Sequence, residues 1–322
     1  MNIRRILLII VILILVLLLV GYAAASTMIY NQLSATEAGC ATESDRDNTP
    51  AAFDDDDVDT TPYLMSDFQE VSFSSRGDGI ALQAWYVPAE DEAAASTVVL
   101  VHGLTSCRRS PSVLLPAGML HRAGYNVLLP DLRDHGDSQI EDGRYAGGSE
   151  EWRDALGAWD WLVNERGIPS ENIGLFGVSL GAVTVMVATG EEPRVAAVWE
   201  DSGFGSITDA VNAELARNGF PTFLSSGALL MGRLIAGDDI GAYSPLTAMG
   251  RLEGRPIFIT HGTADTRLSV DFAQDLAEAV RADGGTVEPW IIEGATHVEA
   301  MFIETEEYEQ RLLAFFDVAL GG

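Results

Sequence analysis

Hydrophobic positions follow three different spacings along this chain. From Ile6 to Val20 they are unbroken, every residue being Ile, Leu or Val, and an uncharged run of that length suits a helix that crosses a bilayer. From residue 37 to 67 they thin out among Asp, Thr, Ala and Pro, which reads as a solvated linker. From Phe68 onward, short apolar runs alternate with segments of helical period. Phe68 to Phe73 and Ile80 to Val87 suit an antiparallel pair at a sheet edge, and Thr97 to Val101 is a continuous β-branched run of the kind buried on both faces of a parallel sheet. Further strands are expected at Tyr125 to Leu129, Ile173 to Phe176, Val195 to Trp199, Ile257 to Thr260 and Val287 to Ile292. Helices fall between them at Ser112 to Arg122, Ser149 to Arg166, Leu180 to Thr189, Val270 to Ala282 and Tyr308 to Leu320. The second of these carries Trp152, Leu156, Trp159 and Leu162 on one face, with Ser149 placed to cap it. The alternation predicts an α/β fold, a mostly parallel eight-stranded sheet with helices on both faces.

The 322 residues are expected to divide into a cytoplasmic N-terminus (1–5), a transmembrane signal anchor (6–29), an acidic flexible linker (30–67) and a folded domain (68–322), a size that one α/β domain can fill. A cleavable signal peptide is the competing reading of the apolar segment, with Ala23-Ala24-Ala25 as its small-residue site; the unbroken apolar length fits an anchor better. In either case Arg4 and Arg5 favour a cytoplasmic N-terminus and a domain outside it, membrane-bound or secreted. Glu37-Ala38-Gly39-Cys40 ends as a lipoprotein site would, but Glu37 and the distance from the apolar run argue against acylation. Asp54 to Asp57 lack the alternation and the turn glycine of an EF-hand.

Charge narrows the partners. The formal charge is −29 and lysine is absent; the tract 37–67 contributes −9 and Arg4 with Arg5 +2, so the rest carries about −22. Such a surface repels nucleic acid and anionic headgroups. Two cysteines do not make a disulfide framework; a bridge between Cys40 and Cys107 is not expected, and a free Cys107 would lie near the site.

Gly177-Val178-Ser179-Leu180-Gly181 stands between a strand and a helix, the context of a nucleophile elbow, with glycine two residues before and after the serine because the sharp turn brings those positions together. A serine hydroxyl needs a base and an acid to orient that base. His297 and Asp265 both follow predicted strands, and the chain order is Ser, Asp, His. The oxyanion donors expected are the backbone N–H groups of Leu180 and of Leu104, with Thr105 possible, in the loop His102-Gly103-Leu104.

Together with Asp131-Leu132-Arg133-Asp134-His135-Gly136-Asp137-Ser138, His261-Gly262-Thr263-Ala264-Asp265 and Gly294-Ala295-Thr296-His297, these motifs resemble the α/β-hydrolase superfamily from about Phe68 to Leu320. Within it, the chain resembles the membrane-anchored or exported bacterial serine hydrolases related to the BEM46 group. The resemblance implies an α/β-hydrolase fold, Ser179 as nucleophile, His297 as base, Asp265 as acid, elbow glycines Gly177 and Gly181, and His135 and Ser138 as scaffolding. Asp134 departs from the usual glycine. It also implies a short lid at about 203–246, and pocket candidates His102, Gly103, Asp201 and Phe204, with capping of the next segment open for Glu200 to Gly203. No metal and no organic cofactor is implied; the partners are a small acyl substrate and the membrane. The expected activity is cleavage of a carboxylic ester, with amidase, peptidase, lysophospholipase, thioesterase and a non-catalytic binding protein as alternatives. Ser179 excludes a haloalkane-type reaction, which needs an acid there; perhydrolysis stays open.

Overall fold

The computed structural model describes residues 2–36, 40, 47–235, 237 and 240–321. Helix α1 (Ile3–Ser34) opens the chain and is the one helix, among the described residues, long and apolar enough to cross a membrane. Strands β1 (Gln69–Ser74), β2 (Ala81–Val87) and β3 (Thr97–Val101) follow, then α2 (Pro111–Arg122), β4 (Asn126–Pro130), α3 (Trp152–Asn164), β5 (Ile173–Val178), α4 (Leu180–Glu191) and β6 (Ala197–Asp201). A helical insert, α5 (Ile207–Arg217), α6 (Ser225–Ile235) and α7 (Pro245–Met249), precedes β7 (Ile257–Gly262), α8 (Asp271–Ala282), β8 (Trp290–Ile292), α9 (Ala300–Ile303) and α10 (Thr305–Leu320).

One sheet of eight strands runs in the order β1-β2-β4-β3-β5-β6-β7-β8. The pairs β1–β2 and β2–β4 are antiparallel, and every other pair is parallel. Strands β3, β4, β5 and β6 are buried at every residue, as their unbroken apolar runs require when helices cover both faces. This is the α/β-hydrolase fold, and it brings the ends of β5, β7 and β8 to one edge of the sheet, with β6 between β5 and β7, where such sheets bind ligands.

Three expectations are corrected. The segment called a flexible linker is not one where it is described: α1 continues to Ser34, and Phe53, Tyr63 and Met65 are buried in the core layer beneath α2. Polar bonds hold it as well, Thr60 Oγ1 donating to the Phe53 carbonyl and Asn48 Nδ2 to that of Arg109. Glu37 to Gly39 of the acylation reading lie outside the described residues. Cys40 and Cys107 form a disulfide, with Cα atoms 5.2 Å apart, so Cys107 is not free and Cys40 is tied to the loop after β3. Ser149 does not cap α3, which begins at Trp152. Its hydroxyl donates to the Ile240 carbonyl, while the Glu151 carboxylate takes the N–H groups of Ala146 and Gly148.

Candidate active site

Strand β5 ends in the turn that presents Ser179. The serine has φ 53° and ψ −115°, a conformation that costs a non-glycine residue on the order of 1–3 kcal/mol and is held only by its surroundings. Here the Ser179 N–H donates to the Asp201 carbonyl at the end of β6, at 2.8 Å. A Cβ at Gly177 would overlap the Gly181 carbonyl, and one at Gly181 would overlap the Val101 carbonyl. The glycine spacing therefore answers to backbone contact.

His297, in the loop after β8, brings Nε2 to 2.9 Å from Ser179 Oγ. Its Nδ1 lies 2.7 Å from Asp265 Oδ2. A carboxylate at Nδ1 selects the tautomer with the proton there, leaving Nε2 to accept from the serine hydroxyl. Asp265 follows β7, and its other oxygen accepts the N–H groups of Arg267 and Leu268 at 2.8 and 2.9 Å. Burial alone would raise its pKa; bonds to His261 and His297 outweigh that and lower it, so the carboxylate stays ionised.

His261, four residues before Asp265 in the same motif, holds that acid in place. It is buried, and its Nε2 sits 3.2 Å from Asp265 Oδ2 and 2.9 Å from the Leu268 carbonyl, so Nε2 carries the proton and holds both the acid and its loop. Desolvation opposes charge on this ring, but the Asp265 and Leu268 bonds and nearby Glu200 raise its pKa overall. Glu200 is fully buried with Oε2 accepting from the Gly203 N–H, and burial pushes its pKa up to about 8.

A second overlooked device latches the His297 loop. Ser202, at φ 57°, donates through Oγ to Asp201 Oδ1 and accepts the Val298 N–H at 3.2 Å. Tyr308 donates to Asp201 Oδ2 at 2.8 Å. No local motif reveals these links, because they join residues 96 and 107 positions apart.

Helix α4 makes its first backbone bond from the Val183 N–H to the Ser179 carbonyl. The N–H groups of Leu180, Gly181 and Ala182 thus have no acceptor within the helix, and the Leu180 N–H sits at the positive helix end beside Ser179. Across from it, Gly103 comes so near that a Cβ there would lie 3.3 Å from Ser179 Cβ. Leu104 and Leu180 line a cavity of about 190 Å³ that contains Ser179, with Phe204, Ile207 and Leu268 among its walls. A more polar cavity of about 370 Å³ also contains Ser179 and is lined by Gly103, Ser106, His297 and Asp55. Arg267, unremarked in the sequence, borders both.

Two pocket candidates are corrected: His102 and Asp201 have no exposed surface. The His102 Nδ1–H donates to the Gly103 carbonyl and Nε2 accepts the Leu132 N–H, which fixes a neutral ring; burial and nearby His135 lower its pKa to about 3. It braces the Gly103 loop against the loop after β4. Asp201 belongs to the latch. Gly103 and Phe204 do face cavities. In the Asp131 to Ser138 loop, His135 Nδ1 donates to the Arg133 carbonyl and Ser138 Oγ to that of Asp131, both as scaffold. Asp134 takes the left-handed φ of 61° that a glycine would supply, and its Oδ1 gathers three backbone N–H groups from Glu141, Asp142 and Gly143.

Among the described residues no cluster of His, Cys, Asp and Glu is disposed to hold a metal. The profile of the prolyl oligopeptidase family matches residues 112–322, which contain Ser179, Asp265 and His297. An uncharacterized 31.7 kDa protein of Escherichia coli, from the traX-finO intergenic region, is 30% identical over 151 residues, 46% of this chain and 51% of that protein. The chain thus spans about half the length of that relative. Esterase YjfP of Escherichia coli is 25% identical over 208 residues, 58% of this chain and 75% of YjfP. Among solved structures, an esterase of Pyrococcus furiosus superposes with a TM-score of 0.64 at 24% identity, covering 85% of this chain and 99% of that one, a likeness of fold.

Proposed function

The chain belongs to the prolyl oligopeptidase family of α/β-hydrolase-fold serine hydrolases, and from that premise we propose that it cleaves a carboxylic ester through an acyl-enzyme on Ser179, His297 and Asp265. Ser179 Oγ attacks the acyl carbonyl while His297 Nε2 takes its proton. The carbonyl oxygen, now negative, is met by the N–H groups of Leu180 and Leu104. The intermediate collapses, the bond to the alcohol breaks, and His297 returns the proton to the departing oxygen. Water, losing a proton to the same nitrogen, then releases the acid and restores the serine. The observation that carries this reading is the unbroken line of hydrogen bonds, Ser179 to His297 to Asp265, ending in a cavity.

The match to esterase YjfP over 75% of its length supports an ester substrate, whereas the family's name favours a peptidase as the second reading. Matched p-nitrophenyl ester and p-nitroanilide substrates separate them. A kcat/KM at least 10³-fold higher on the ester supports the first; equal or better turnover of a peptidyl anilide overturns it. Kinship with the BEM46-related group is a proposal supported by motif order and the apolar N-terminal helix. We further propose that α1 is a retained anchor with the catalytic domain outside the cytoplasm. Arg4 and Arg5 before the apolar run support that orientation, and the Cys40–Cys107 bond calls for an oxidising compartment.

A further inference from the structure

The far end of α1 is built into the catalytic domain. Ser26, Ile29, Tyr30 and Ser34 are buried, the Arg144 guanidinium lies 4.9 Å over the Tyr30 ring, and Arg144 Nη1 donates to Ser34 Oγ. Two glycines of α6 permit the close packing: a side chain at Gly227 would strike Tyr22 and Ser26, and one at Gly232 would strike Tyr30. Moving along α6 from 227 to 232 therefore moves along α1 from 22 towards 30, so the two helices run the same way and α6 begins at the level of Tyr22.

That level matters. A hydrocarbon core of about 30 Å takes roughly 20 helical residues, which carries a span starting at Ile6 to about Ala25. Tyr22 thus stands near the outer boundary, where aromatic residues with a polar tip settle. It stacks on Phe223 at 6.3 Å between ring centroids and donates to the Phe223 carbonyl. The outward side of the same segment carries Phe223, Leu230, Leu234 and Ile235, exposed by 68, 54, 68 and 46%, with Ser226 and Arg233 exposed among them. An apolar patch continuous with a membrane-spanning helix is covered most simply by the same bilayer.

On its inner side, α1 walls the active-site cavity. Gln32, Leu33 and Ala35 share the 190 Å³ space with Ser179, facing Ile207 and Val211 of α5. A narrow apolar recess continues it, bordered by Leu33, Tyr30 and Leu229.

We propose that the chain from Phe223 through the first turns of α6, to Leu230, lies in the outer interface of the bilayer beside α1, and that the cavity between α1 and α5 receives the acyl chain of a membrane-resident ester. This rests on the serine-hydrolase reading above and names its substrate class. The domain's surplus of acidic residues directs it to neutral or zwitterionic lipid. Hydrolysis adds one water across the ester and yields a carboxylic acid and an alcohol, the acyl part leaving by the way it came.

The test uses the full chain in phosphatidylcholine nanodiscs, with p-nitrophenyl butyrate in solution and p-nitrophenyl palmitate dissolved in the disc. Leu230→Glu with Leu234→Glu, on the outward face and away from Ser179, is expected to cut palmitate turnover at least fivefold and leave butyrate turnover unchanged. Leu33→Trp is expected to lower the palmitate-to-butyrate ratio of kcat/KM about tenfold. Equal loss on both esters, or no loss on either, overturns the inference while leaving the hydrolase standing. A folded wild type that hydrolyses neither ester overturns the underlying reading and the inference with it. As an independent readout, a polarity-sensitive fluorophore on Leu230→Cys should be quenched by nitroxide-bearing lipid; quenching by aqueous iodide alone contradicts immersion.

Discussion

Asp265 is the residue on which the site turns, because two imidazoles meet its one oxygen, Oδ2. Asp265→Asn keeps the volume but offers His297 Nδ1 no reliable acceptor, and kcat should fall by about 10² to 10⁴-fold with the fold retained, read by ester turnover beside circular dichroism. Glu200 gives a different signature. With an ordinary value of 4.5 when unfolded and about 8 when folded, it binds a proton in the native state that the unfolded chain has lost. Its contribution to stability is therefore full below pH 4.5 and fades as pH rises towards 8. Glu200→Gln should remove that fading: the difference in Tm between variant and wild type should grow in the variant's favour from pH 5 to 8, and a constant difference would refute the assignment. Ser179, Asp265, His297 and the elbow glycines are legible in the sequence because each sits in a short motif at a strand end. His261 was present in the same motif as Asp265, yet only the return of the loop at Leu268 reveals what its ring holds.

At the scale of elements, apolar runs marked all eight strands to within a few residues, since each is buried on both faces or paired at the edge. The segment from 47 to 67 escaped that logic. Phe53, Tyr63 and Met65 are too far apart to show a period, and Asp54 to Asp57 dominate the composition around them, although three buried side chains suffice to seat the chain under α2. The disulfide escaped too, because 67 residues separate its cysteines and only the fold brings them together. Closing a loop of that length restrains the unfolded chain by an amount on the order of 4 kcal/mol. Cys40→Ser with Cys107→Ser should thus lower unfolding free energy by about 2–4 kcal/mol in urea titration, with the same loss in wild type under reductant. Because Cys107 follows the Gly103–Leu104 loop, the doubly substituted protein should also show a lower kcat.

For the whole molecule, the far end of α1 and residues 47–67 pack into the core of the domain that carries Ser179. A fragment starting at Phe68, a boundary drawn from composition, would lose the buried faces of Tyr30, Phe53, Tyr63 and Met65. It should melt well below a fragment starting at Tyr22, as differential scanning calorimetry of the two would show; equal Tm values would mean that these contacts contribute nothing. If Ser179 is an activated nucleophile, covalent labelling reads it without reference to any substrate. The full chain in nanodiscs, treated with a fluorophosphonate probe, should label at one site, with labelling abolished in Ser179→Ala and slowed at least 10²-fold in His297→Ala, both shown to be folded. Undiminished labelling of Ser179→Ala, or no labelling of the folded wild type, would contradict it.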